Sequence, residues 1–141
     1  MLVGLALVLS MLACGGGGAV TRRNNEIRRV AVAYELAARG PVDEVLVAFG
    51  LTEARANLGF EGGNTVWLNR LAEGEYLRAR DTRRTYLFLH DLDYADGAVS
   101  LVVDRGDASG LQSRKLALAR EDNGWQVVSD EILESVSPSP D

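Results

Sequence analysis

Between Asn25 and Arg39 the apolar residues Ile27, Val30, Ala31, Tyr34, Ala37 and Ala38 recur at helical spacing, with Arg28, Arg29, Glu35 and Arg39 on other faces. The spacing predicts one long amphipathic helix. Gly40 stands where a helix C-terminal cap is expected and Pro41 where a second helix would open. Val42, Val45, Leu46 and Phe49 therefore read as the inward side of a short helix that Gly50 ends. Thr52 is placed to cap a further turn carrying Ala54 and Leu58, and Gly59, Gly62 and Gly63 mark a loop. Asn64 or Thr65 then caps a last helix with Trp67, Leu68 and Leu71 on one side, closed by Gly74. Thr65 to Leu68 reads equally as the start of a strand.

After Gly74 the pattern becomes one of short apolar-rich runs separated by turn signals. Strands are expected at 75–80, 85–94, 98–105, 111–121 and 125–133, with Asp96-Gly97, the stretch 106–110 and Asn123-Gly124 between them. Asn-Gly accepts the positive φ angles of a type I′ turn, so Asn123 and Gly124 are expected to have positive φ, with Asp122 opposite Trp125. Helices followed by a meander predict an α+β domain, its N-terminal helices packed on a curved antiparallel sheet.

Ahead of these elements Leu2 to Ala13 forms an uncharged apolar run, ending at the only cysteine, Cys14, and followed by Gly15 to Gly18. A dozen residues are too few to cross a hydrocarbon core of about 30 Å as a helix, but they fit the apolar region of an export signal. With small Ala13 before the thiol, the segment resembles the signal and lipobox of bacterial lipoproteins, in which the cysteine becomes the lipidated first residue. Met11 stands where Leu is usual, Leu12 where a small residue is commoner, and no Lys or Arg precedes the run. An ordinary signal cut near Ala13 and a buried N-terminal segment are the alternatives. The lipoprotein resemblance implies a signal peptide at 1–13 and a lipidated Cys14; the glycine tract makes 14–24 a flexible tether, the folded domain is expected at 25–134, and the Ser/Pro tail at 135–141, with little to bury, is expected to be disordered. The resemblance also implies a membrane anchor through Cys14. Gly15, rather than Asp, after the cysteine implies the outer membrane, facing the periplasm, where the host has one.

A net charge of −5, with fourteen Arg and one Lys, disfavours nucleic acid as a partner. The basic clusters are Arg22, Arg23, Arg28, Arg29 and Arg78, Arg80, Arg83, Arg84; the first lies near the proposed anchor. A single cysteine makes no internal disulfide.

The order of long helix, shorter helices and C-terminal hairpins, ending in Arg120-Glu121-Asp122-Asn123-Gly124-Trp125-Gln126-Val127-Val128, resembles the NTF2-like superfamily. The resemblance implies a cone-shaped α+β fold around a pocket, a fold that hosts both enzymes and binding modules.

His90 is the only histidine. On a regular strand it shares a face with Leu92 and Tyr94, while Asp91 points the other way, so a general-base dyad needs a carboxylate from elsewhere, such as Asp81 or Asp104. Asp91, Asp93, Asp96 and Gly97 approximate a calcium loop, with the third Asp one place late, Gly seventh and no closing Glu. Gly62-Gly63-Asn64 lacks the Lys of a phosphate loop. Tyr34, Trp67, Tyr76, His90 and Trp125 are the candidate pocket residues, with Tyr86 a further aromatic of this kind. No cofactor is expected. The reading is a non-catalytic envelope module for a small ligand or an envelope protein; the alternative is a small hydrolase or isomerase using His90.

Overall fold

A computed structural model describes residues 6–40, 42–50, 64–68 and 70–136, with only the backbone considered at 6–17 and at Asn64. The elements are α1 (Ala6–Arg39), β1 (Glu44–Phe49), β2 (Asn64–Leu68), α2 (Leu71–Arg80), β3 (Thr85–Leu89), β4 (Asp93–Ala95), β5 (Ala98–Asp107), β6 (Gly110–Glu121) and β7 (Gly124–Val136). Among the described residues the chain is α+β, two helices against one seven-stranded sheet in the order β2-β1-β3-β5-β6-β7, with β4 also paired to β5.

The sheet is mixed, not antiparallel throughout. β1 runs parallel to both of its neighbours, β2 and β3, and antiparallel pairing begins only at β3–β5. Residues 44–49, expected to be helical, are strand β1 because Val45 to Phe49 are buried without a break. A parallel strand covered on both faces reads as a continuous apolar run with no period of two, and five such residues are too few to separate strand from helix by pattern. β3 is buried in the same way from Tyr86 to Leu89. Gly40 does cap α1, with φ of 92°.

Residues 75–80, expected to be a strand, belong to α2. Leu, Ala, Glu and Arg fill most of that helix and all favour it. Gly74, read as a stop, lies inside it for a packing reason. A Cβ there would come 2.7 Å from Ala48 Cβ and 2.8 Å from a Phe88 ring carbon, so only glycine lets α2 approach the sheet this closely. Thr65 to Leu68 resolve as strand, and the expected turn at Thr52, Ala54 and Leu58 lies outside the described residues.

The helices cover opposite faces. Ile27, Ala31 and Val32 of α1 join Val45, Val47, Phe49, Leu87, Leu89, Leu101, Val103, Leu116 and Leu118 in the main core. Leu71 and Leu77 of α2 pack on Leu46, Ala48, Leu68, Tyr86 and Phe88, the alternate positions of the same strands. The buried stripe of α1 runs through Asn24, Ile27, Arg28, Ala31, Val32 and Glu35, whereas Ala37 and Ala38 are exposed. Two charged residues thus sit on the face assigned to apolar ones. Arg28 lies with its guanidinium 5.2 Å from the Phe49 ring centre and donates to Asn25 Oδ1 at 3.2 Å. Glu35 meets Arg39 one turn on.

α1 also continues back through Gly15 to Gly18, where a flexible tether is expected. Four glycines in a row carry a helix cost of about 1 kcal/mol each relative to Ala, which is why composition reads as tether there. No helix among the described residues is long and apolar enough to cross a membrane. Ser135 and Val136, assigned to the tail, are the end of β7; residues 137–141 lie outside the described set.

The hairpins are placed as expected but turn differently. The type I′ signature falls at Asp96-Gly97, with φ of 51° and 76° between the paired Ala95 and Ala98. At the last hairpin Glu121 pairs with Gly124 and Arg120 with Trp125, and only Gly124 has positive φ, 107°. Asn123 does not, so Asp122-Asn123 turn without the left-handed pair and Gly124 absorbs the reversal, in the manner of a type I turn with a bulge.

Candidate functional site

The site starts from a break in a strand. Residues 85–94, expected as one strand, split into β3 and β4 because one extra residue intervenes. From Leu89↔Val103 to Asp93↔Ser100, three residues on one side face two on the other. A bulge of this kind re-aims side chains. His90 opens it, its backbone N–H still donating to Val102 C=O at 3.0 Å.

His90 Nε2 lies 2.7 Å from Asp104 Oδ2, and Ser113 Oγ donates to Asp104 Oδ1 at 2.5 Å. All three face the α2 side of the sheet. Asp104 pairs with Phe88 across β3–β5 and with Ser113 across β5–β6, so the strand register itself lines up carboxylate and hydroxyl. A carboxylate accepts only, so Nε2 carries the proton and Nδ1 is the acceptor of the neutral ring. Nδ1 has no partner among the described residues, and the imidazole is 43% exposed.

His90 and Asp104 line a cavity of about 250 Å³ between α2 and the sheet. Leu71, Phe88 and Leu111 make its apolar wall; Glu75, Arg78 and Thr82 face the imidazole side from α2 and the turn after it. Arg78 lies across β5 at Gly106, where any Cβ would overlap its guanidinium, and its Nε is buried without an acceptor. The cavity therefore combines an apolar wall, an acceptor nitrogen fixed by a carboxylate, and one cation. A ligand pocket needs these parts.

The candidate residues separate. Only His90 lines this cavity. Tyr34 donates to Asp130 Oδ2 at 2.7 Å on the α1 side, and that bond pushes its phenol above the usual range. Trp67 meets Phe49 edge-on at 6.2 Å, and Trp125 packs against the main core. Tyr76 is exposed, with the Arg80 guanidinium 3.5 Å over its ring. Of the two carboxylates considered for His90, Asp104 reaches it. Asp81 instead accepts from the Arg83 backbone N–H at 3.1 Å, which with the Arg83 side chain holds it below the usual carboxylate range.

Several arginines of the basic clusters have partners. Arg84 pairs with Glu44, Arg83 with Asp81, Arg80 covers Tyr76, and Arg23 lies 4.6 Å from the Tyr94 ring centre. Asp91, Asp93 and Asp96 are all exposed around β4, and no group of three or more His, Cys, Asp or Glu converges among the described residues. Cys14 falls in the part of α1 where side chains are not described, and Gly62-Gly63 lies outside the described residues.

Ser113 and Arg78 were not anticipated as site residues. Ser113 was legible in principle, because a hairpin centred on Ala108-Ser109 sets it opposite Asp104. Arg78 was not, since its position depends on α2 being a helix. No protein-family model matches the chain, and no curated protein or solved structure matches it either.

Proposed function

We propose that this chain is an envelope lipoprotein, anchored through Cys14, whose NTF2-like domain binds a small, partly apolar ligand in the cavity between α2 and the sheet. The observation that carries the binding reading is the His90–Asp104–Ser113 chain ending in a free imidazole acceptor on a cavity of ligand size. Such an acceptor receives a hydroxyl or N–H of a ligand whose apolar part rests on Leu71, Phe88 and Leu111. The long helix against the sheet and the β5–β6–β7 meander support the NTF2-like relation; the parallel pairs of β1 depart from the expected sheet.

Because His90 is the only histidine, its imidazole resonances report on the cavity without ambiguity. Ligands found by NMR screening of small polar aromatics and hydroxy compounds should move those resonances. Asp104→Ala should weaken them about tenfold, or roughly 1.4 kcal/mol, by leaving the ring unoriented. Hits that leave the His90 signals in place would remove the cavity from the proposal.

The His90–Asp104 distance favours a second reading, general-base catalysis on a bound substrate. The order of the chain argues for binding first. In a nucleophilic triad the hydroxyl meets the imidazole, whereas here Ser113 meets the far oxygen of the carboxylate and is not activated. In a hydrolase or isomerase screen His90→Ala should leave any background unchanged; a fall of about 10²-fold or more would put the enzyme reading ahead.

The anchor has its own test. Metabolic labelling with a palmitate analogue should mark the wild type and not Cys14→Ser, since two or more acyl chains at about 0.8 kcal/mol per buried methylene make the stable attachment. Equal labelling of both would end the lipoprotein reading without touching the cavity.

A further inference from the structure

A second cavity, of about 210 Å³, opens where the C-terminal end of α1 meets the β5–β6 turn and the end of β7. Two arginines line it. Arg39 comes from the last turn of α1 and Arg105 from β5, and their side chains are 11% and 10% exposed. Burial of this depth ordinarily comes with complete hydrogen bonding. Here Arg39 Nη1 and Nη2 and Arg105 Nη1 are buried with no acceptor among the described residues. Arg39 Nε lies 3.2 Å from Glu35 Oε2, and Arg105 Nε lies 3.5 Å from Asp107 Oδ2, so each acid meets the inner nitrogen and leaves outer ones over.

We propose that this cavity is a binding site for a small organic carboxylate, held between the Arg39 and Arg105 guanidiniums. The remaining lining narrows the class. Ser109, Gln112 and Ser135 add neutral polar groups, and Leu111 and Val136 offer apolar surface for a short carbon chain. Two arginines against the single lining acid, Asp107, leave one positive charge, which a monoanion matches and a doubly charged phosphate exceeds. Asp107 is itself occupied, accepting from the Ser109 backbone N–H at 2.9 Å and from its hydroxyl. A carboxylate presents two parallel acceptors to the guanidinium fork, the pairing for which arginine is the preferred partner. Glu35, next to Arg39 but not lining the cavity, is pushed up to about 7 by burial and so offsets the Arg39 charge only in part near neutrality. The two cavities share Leu111 in their linings but no charged residue: neither Arg39 nor Arg105 lines the His90 cavity, and neither His90 nor Asp104 lines this one.

Calorimetric titration of the full chain with butyrate, its neutral isostere butyramide, and inorganic phosphate tests this. Butyrate is expected to bind saturably and to shift the Nε–Hε signals of Arg39 and Arg105. Butyramide should bind at least tenfold more weakly, and phosphate more weakly than butyrate. Arg105→Gln should weaken butyrate at least tenfold, and Arg105→Lys, which keeps the charge and the fold but loses the fork, should weaken it severalfold. His90→Ala should leave it unchanged, which separates this site from the ligand cavity proposed above. Equal binding of butyrate and butyramide, or butyrate affinity unaltered in Arg105→Lys, overturns the proposal; phosphate binding more tightly than butyrate overturns the carboxylate assignment.

Discussion

Phe49→Ala is expected to destabilise the domain by about 3–5 kcal/mol, the range for removing a buried aromatic ring. Phe49 ends β1 at 1% exposure and is held from several sides. Trp67 meets it edge-on with planes at 79°, and Arg28 sits over its face. Truncation opens a cavity in the main core and strips a buried guanidinium of its aromatic partner, a contact worth roughly 0.5–2 kcal/mol. For a domain with a typical stability of about 5–15 kcal/mol this is a large share. Urea titration followed by tryptophan fluorescence checks it, and Phe49→Leu should recover more than half of the loss. A change below about 1 kcal/mol would mean that this end of β1 is not packed as described.

Glu35→Gln is expected to raise stability at pH 8 and to leave it nearly unchanged at pH 4. Burial lifts the Glu35 carboxyl from its ordinary 4.5 to about 7, with the Asp130 charge adding to the effect and the Arg114 and Arg105 charges opposing it. Arg39 lies near, but neither Glu35 oxygen is aligned for a hydrogen bond, so burial dominates. The sign follows from proton counts. Between pH 4.5 and 7 the unfolded chain has released the proton that the folded chain still holds, so stability falls as pH rises through that window and then levels. A shift of this size corresponds to about 1–3 kcal/mol above pH 8, with the upper figure a limit because nearby arginines relax toward the ionised form. Thermal unfolding of wild type and variant from pH 4 to pH 9 measures it; parallel curves across that range would place Glu35 in contact with water.

The elements that the sequence revealed are those governed by local chemistry. The C-terminal part of helix α1, residues 25–39, followed from apolar spacing and Gly40, and strands β5, β6 and β7 followed from alternation and turn signals within a few residues of their observed ends. What was hidden depends on contacts distant in sequence. β1 takes its identity from pairing with β2 and β3, and α1 and α2 bury its two faces, so no period survives to announce it. α2 was obscured by Gly74, a residue that is a stop signal in isolation and a close-approach residue when Ala48 and Phe88 lie beneath it. The buried places of Arg28 and Glu35 on α1 were likewise invisible, because charge was read as exposure. His90 and the choice of Asp104 were within reach, since strand parity excluded Asp91 as its partner; the bulge that turns His90 toward the cavity was not. Tyr34, Trp67 and Trp125 show the ordinary fate of aromatic residues, which is to fill the core.

β7 closes one edge of the sheet with thirteen residues. A bare edge of that length invites a second strand, and Val128, Ile132, Leu133 and Val136 are all about half exposed along it. The strand carries Asp130, Glu131 and Glu134 and no basic residue, and among the described residues only Asp130 is ion-paired, with Arg114 at 2.7 Å. Two copies meeting edge to edge would bring like charges together, a repulsion that holds at neutral pH and fades in acid as the carboxylates take up protons. The outermost strand thus guards its own unpaired backbone by charge, and acidic solution is where copies of this domain are expected to join into larger sheets.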